Sequence, residues 1–224
     1  MNINIKYLDN TLHLSSSYVT SLEIENKKLF FRIVNDFCNI ANGNITDEIY
    51  ISEENEEIDI SNKVNIVIDY FNLDFNTRKN LNELTKNLKD NLGEKELIEI
   101  TTYYNKIEKI IVGKATETTV KLNIPNEFNI DNLLKNFKFE IEEKTNLINK
   151  LYLLLDLEML LNYNKLIIFV NIKQYLEKKD IEELIKYAQY NELNLLLIDN
   201  NSYGITMNNE RKLIVDNDLV EFQL

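Results

Sequence analysis

Glycine is scarce in this sequence: there are four, at positions 43, 93, 113 and 204. A standard phosphate-cradling loop needs several, and neither GxxxxGK[ST] nor GxGxxG occurs. Gly113-Lys114 is followed by Ala115 and has no glycine five residues before it, so it is no Walker loop. The G-x-S-x-G nucleophile elbow is also missing. Nucleotide hydrolysis by a standard site is therefore not expected. There is one cysteine, so an intrachain disulfide is excluded and a reducing cytosol is expected. No window holds about 18 consecutive apolar residues, which argues against a transmembrane helix. The opening MNINIKYLDN lacks a basic stretch followed by an apolar one, so no signal peptide is expected. Positive charge is in deficit: 25 Lys and Arg against 37 Asp and Glu, a formal net charge of −12. That balance argues against a broadly basic nucleic-acid coat protein, though a local cationic patch is compatible with it.

What is present is enough chain for one large domain or two small ones, and a core that buries roughly 70% of the unfolded surface without a metal or disulfide. The organising stretch is 165–199. Leu166 to Val170 is apolar on every residue and Leu193 to Ile198 on all but Asn194, as in parallel strands covered on both faces. Between them Leu176, Ile181, Leu184, Ile185 and Ala188 recur at helical spacing. Asp180 with Glu183 reads as a capping box for that helix. Strand, crossover helix and strand make a βαβ unit.

Upstream, Ile3, Ile5 and Tyr7 alternate with polar residues, Asp9-Asn10 signals a two-residue turn, and Leu12 and Leu14 resume the alternation, which predicts a hairpin. A strand is predicted from Val19 to Glu25. Asn26 then caps a helix with apolar positions Leu29, Phe30, Ile33, Val34, Phe37 and Ile40, ended by Asn42-Gly43. IYI at 49–51 and Val64 to Tyr70 read as further strands. After Asp74 the pattern changes. Leu81, Leu84 and Leu88, then Leu97, Ile100, Tyr104, Ile107 and Ile111, form a narrow seam of coiled-coil type. An extended link is expected over Thr116 to Ile124. A short helix capped by Asp131 follows, then an extended FEIEE and a helix through Leu147 to Met159. One or two short strands close the chain. The expected architecture is an α/β head with a largely parallel sheet, residues 1–75 and 145–224, interrupted by a coiled-coil-like helical leg, residues 76–144.

Side chains suited to chemistry are few. His13 sits alone on a hairpin strand and reads as an ordinary surface histidine. Cys38 lies within an apolar helix and reads as a structural thiol. Asp69 and Asp199 end apolar strands, where a metal could bind, but such carboxylates more often satisfy turn backbone. Lys28 and Arg32 share a helix face, as do Lys106 and Lys109, and each pair alone reads as a solvated face.

MNINIKYLD, TSLEIENKKLFFRIV, KLIIFVNIKQYLEKKDIEELIKYAQYNELNLLLID and ERKLIVDNDLVEF together resemble the CRISPR-associated Csn-two family, small adaptation proteins of type II-A systems. The third stretch is the most specific. The resemblance implies a head like a P-loop nucleotide-binding fold that has lost its phosphate loop, and no enzymatic activity. It implies a bacterial cytoplasmic protein, not bound to membranes, forming a homotetrameric ring. The ring would bind double-stranded DNA ends through a lysine-lined hole and assist spacer acquisition with the integrase subunits and the type II effector nuclease. The candidate DNA contacts are Lys27, Lys28, Arg32, Lys135, Lys138 and Lys173. The family's calcium ligands correspond to GKATETTVKLNIPNEFNID, where only Glu117, Glu127 and Asp131 are acidic. Since calcium takes six to eight oxygens, a weakened site is expected. A competing reading is an interaction scaffold of the adaptation complex with little DNA binding of its own. A third, a divergent nucleotide hydrolase or metal nuclease using Asp69 or Asp199, rests on fold analogy alone.

Overall fold

The computed structural model describes residues 1–15, 17–44, 46–53, 56–57, 64–120, 128–161, 166–201, 203–205 and 207–224. Two compact units divide the chain: Met1–Leu73 with Glu143–Leu224, and Asp74–Glu142.

The first unit holds β1 (Asn2–Ile5), β2 (Leu12–His13), β3 (Val19–Ile24), α1 (Lys27–Ala41), β4 (Ile49–Glu53), β5 (Glu56–Glu57) and β6 (Val64–Val67). The second unit contributes α2 (Arg78–Asp90), α3 (Glu94–Thr116) and α4 (Ile130–Asn136). The chain then returns to the first unit with α5 (Leu147–Leu161), β7 (Leu166–Val170), a 3-10 turn at Ile172–Gln174, α6 (Lys178–Tyr190), β8 (Leu195–Asp199), β9 (Glu210–Val215) and β10 (Glu221–Gln223).

Six strands form one sheet in the order β10-β9-β3-β8-β7-β6. The pairs β3/β8, β3/β9, β6/β7 and β7/β8 are parallel, and only β10 runs antiparallel. The expected βαβ unit is present: β7 and β8 are neighbours in register, Ile167 opposite Leu195, with α6 between them in sequence. A second, antiparallel sheet has the order β2-β1-β4-β5. The N-terminal hairpin pairs Ile3 with Leu12, but its turn spans far more than Asp9-Asn10, since β1 ends at Ile5.

Side chains alternate across a strand, so the large sheet has two distinct faces. Leu22, Ile24, Ile168, Val170, Leu196, Ile198, Leu213 and Val215 point to one of them. There they join Ile33, Phe37 and Ile40 of α1 and Ile3, Ile5, Ile49 and Ile51 of the small sheet in one buried core. The other face carries Ile167, Phe169, Leu195 and Leu197, also buried. Asn65 of β6 donates to Glu158 of α5 at 2.7 Å, which seats α5 over this second face. The Tyr187 hydroxyl of α6 donates to Asp156 of α5, tying the two helices together.

Caps explain several boundaries. Asn26 Oδ1 accepts from the N–H groups of Lys28 and Leu29, opening α1, and Gly43 at φ 78° lets the chain leave it. The expected Asp180 cap is not formed: α6 starts at Lys178 after Glu177, and Asp180 lies in its first turn, where a carboxylate suits the helix dipole. Likewise Asn129, not Asp131, caps α4.

In the second unit, α2 and α3 bury no residue completely, and Gly93 separates them. Ile98, Ile107, Ile110 and Ile111 of α3 are all more than half exposed. The extended link expected from Thr116 is not seen up to Val120, because α3 runs through Thr116 and then turns. Its remainder, 121–124, lies outside the described residues. FEIEE also lies in no strand.

Candidate functional site

Doubly wound sheets bind ligands beyond the carboxyl ends of their strands. Here the central strand β3 leads into α1 through two residues, Glu25 and Asn26. The side chain of Asn26 already occupies the first free N–H groups of the helix, so no cradle for a phosphate remains there. A cavity of about 400 Å³ at this edge is lined by Glu23, Glu25, Asn200, Asn201, Ile214 and Asn217. Carboxylates in that position repel a phosphate anion.

Beneath this edge, on the second face of the sheet, lies a buried cluster of five charged side chains. Glu23 sits beside Asp199 on neighbouring parallel strands. Glu210 and Lys212 stand two apart on β9 and share that face. Lys173 enters from the 3-10 turn, with Asn171 at φ 57° redirecting the chain out of β7. Its ammonium donates to Glu23 Oε1 and to Glu210 Oε1, each at 3.0 Å, and stands 3.6 Å from Asp199 Oδ2. Lys212 Nζ pairs with Glu23 Oε1 at 2.7 Å. Burial alone works against the Lys173 ammonium, but Asp199, Glu210 and Glu23 outweigh it and hold its pKa above the ordinary value. Burial also opposes the Glu210 carboxylate. The facing Ser21 hydroxyl (without a well-formed hydrogen bond), Lys173 and the Met207 N–H keep its pKa below the usual range even so. Asp199 behaves oppositely, and burial pushes its carboxyl up to about 7.

The DNA-contact candidates separate in this structure. Lys27, Lys28 and Arg32 are exposed on α1, and Arg32 stacks its guanidinium 3.7 Å from the centre of the Tyr7 ring while lying 3.8 Å from Glu48. Lys135 and Lys138 are exposed in the second unit. Lys173 requires a correction. Its side chain is 0% exposed and its charge is taken up inside the fold, so it presents nothing to a phosphate. Its partners Glu23, Glu210 and Lys212 carry no local signal beyond the Glu-x-Lys alternation on β9, which reads equally well as a solvated strand face.

The metal candidates are engaged elsewhere. Glu117 accepts from Lys114 at 3.0 Å through both oxygens, and Asp131 accepts from Lys89 at 2.9 and 3.0 Å. Glu127 lies outside the described residues. Among the described residues no group of three His, Cys, Asp or Glu side chains is placed to hold a metal.

Asp69 satisfies turn backbone: it accepts from the Phe71 and Asn72 N–H groups and from Asn72 Nδ2. Those bonds, the Asn72 side chain first, hold its pKa below the usual value. His13 is exposed, with Nδ1 2.8 Å from Asn2 Oδ1. Cys38 is half-buried, and burial pushes its thiol pKa up, away from a reactive thiolate.

Residues 43–219 match the family model described as CRISPR-associated protein (Cas_Csn2). Among solved structures, the crystal structure of Stu0660 of Streptococcus thermophilus has a similar fold, with a TM-score of 0.63 at 16% identity. The match covers 100% of this chain and 76% of that one. The family match spans well over half of the sequence, so this chain belongs to the CRISPR-associated Cas_Csn2 family.

Proposed function

We propose that the protein is a non-enzymatic, sequence-independent binder of double-stranded DNA ends, acting as a homotetrameric ring in type II-A spacer acquisition. Its partners there are the integrase subunits and the effector nuclease. Membership of the Cas_Csn2 family carries this reading. The two-residue passage from β3 into α1 supports the absence of nucleotide chemistry. The exposed cations of α1, Lys27, Lys28 and Arg32, with Lys135 and Lys138 of the second unit, supply phosphate contacts. Contacts of this kind carry no sequence information.

A ring concentrates a local cationic surface that the net charge of −12 would otherwise mask. If two of these five cations on each subunit reach the duplex, four subunits present about eight phosphate contacts, and log affinity should fall against log salt with a slope of roughly −7. The test is a titration of linear against covalently closed duplex at two salt concentrations. Linear DNA should bind and closed circles should not. Equal affinity for both overturns threading through a ring. The competing reading, an interaction scaffold, draws support from the acidic balance and from the internal engagement of Lys173. Absence of binding to either DNA at low salt would select it. Magnesium-dependent ATP turnover by the purified chain would overturn the non-enzymatic reading.

A further inference from the structure

The cluster on the second sheet face is unbalanced by one charge. Two ammonium groups, on Lys173 and Lys212, face three carboxylates, on Glu23, Asp199 and Glu210. Glu23 takes both lysines, at 3.0 and 2.7 Å. Glu210 takes Lys173 at 3.0 Å through one oxygen and the Met207 N–H at 3.1 Å through the other. Asp199 is left over. It is 0% exposed, its nearest ammonium is 3.6 Å away, and neither of its oxygens makes a well-formed hydrogen bond, although the Lys173 N–H and ammonium both face it and partly offset the burial. An ionised carboxylate held only by such long contacts in the interior is disfavoured, whereas its neutral form is tolerated. The aromatic groups that interact with Asp199, Tyr70 and Tyr203, carry no positive charge to offset it, and Tyr175 in turn faces both of them.

We propose that Asp199 is a proton-linked latch: its protonated form fits the closed cluster, and its ionisation loosens the Lys173 turn and the loop that carries Tyr203. An ionised Asp199 must draw in the Lys173 ammonium or water. Either one disturbs the two 3.0 Å bonds that hold Lys173 to Glu23 and Glu210. The strain has a route outward. Asn171 N–H donates to the Ile198 carbonyl, Asn200 N–H donates to Asn171 Oδ1, and the Tyr203 hydroxyl donates to Asn200 Oδ1. The end of β8, the 3-10 turn, Asn200 and Tyr203 therefore move as one hydrogen-bonded set.

The sign follows from linkage. The folded-state pKa of this carboxyl, about 7, lies above its ordinary value of 3.8. The stability it contributes is complete below the lower value and is lost as pH rises through the upper one. The variant Asp199→Asn keeps the shape and cannot ionise. Between pH 5 and 7 the ratio of the unfolding constants of wild type and variant should rise about tenfold per pH unit, then level off above pH 8. A ratio that does not change with pH overturns the proposal. Because the variant can fail to fold, the wild-type protein supplies an independent readout. The assigned carboxyl carbon of Asp199 should titrate near neutral pH by NMR, with hydrogen exchange at Gln174 and Asn200, corrected for intrinsic rates, quickening over the same range. A midpoint below pH 5, or exchange that ignores the titration, overturns it equally.

Discussion

Lys173 donates to Glu23 across 150 residues of sequence, Nζ to Oε1 at 3.0 Å, with both side chains almost completely withdrawn from water. The bond ties the turn after β7 to the central strand β3, two positions away in the sheet. It also decides which lysine is available for a ligand, because this ammonium already serves three carboxylates.

Removing that ammonium leaves carboxylates buried without their counter-charge. The Lys173→Met variant keeps the aliphatic length and should be destabilised by about 3–5 kcal/mol in urea unfolding. The exposed Lys28→Ala control should stay within about 0.5 kcal/mol of wild type. Equal stabilities for the two variants would show that the cluster does not hold the sheet.

Asn26 has two structural roles. Its Oδ1 caps α1, and its Nδ2 donates to the Asn217 carbonyl at 3.1 Å. Loss of a cap of this type costs about 1 kcal/mol. Asn26→Ala should therefore lower the denaturant midpoint measurably, and Asn26→Asp, which keeps the capping oxygen, should recover most of the loss.

Calcium should matter little to this chain. The carboxylates of Glu117 and Asp131 are each held by a lysine, so a cation must first break those pairs. Calorimetry on the full chain should show no tight binding. Tight calcium binding that Glu117→Gln abolished would contradict this.

A homotetramer is expected in solution, motivated by the family and by the apolar residues that α3 leaves exposed. Multi-angle light scattering at micromolar concentration should give four times the chain mass. A monomer in both calcium and chelator would refute the ring.

Much of the head was legible from local pattern. β7, α6 and β8 announce themselves because a strand buried on both faces reads as a near-continuous apolar run, and a crossover helix must present one apolar stripe to the sheet. The two-residue turn from β3 into α1 was readable because Asn26 follows a strand and precedes a helical stripe. Cap identity was less readable. Asp180 and Asn129 are both good capping residues in composition, and only the path of the preceding chain makes Asn129 the cap of α4 and leaves Asp180 inside the first turn of α6.

The charged face was not legible. Along β3, Glu23 alternates with apolar residues as a polar residue does on any half-exposed strand, and on β9 Glu210 and Lys212 flank Arg211 in a polar start that reads as solvated. Nothing local distinguishes a carboxylate facing water from one facing a buried ammonium. Asp199 drew attention as a strand-end carboxylate, but its environment depends on Glu23 and Lys173, neither of which it meets in sequence.

What the sequence determined by itself is whatever depends on neighbours a few residues apart: strand and helix type, the missing phosphate loop, the change of periodicity after Asp74, and the family patterns. What only the tertiary structure decided is the fate of each charge. Lys28 and Lys173 are the same residue in equally polar stretches, yet one is exposed and the other is fully buried. The difference arises because side-chain electrostatics depend on distance through space. Sheet order brings Glu23, Asp199 and Glu210 around a single ammonium, although they are scattered over most of the chain.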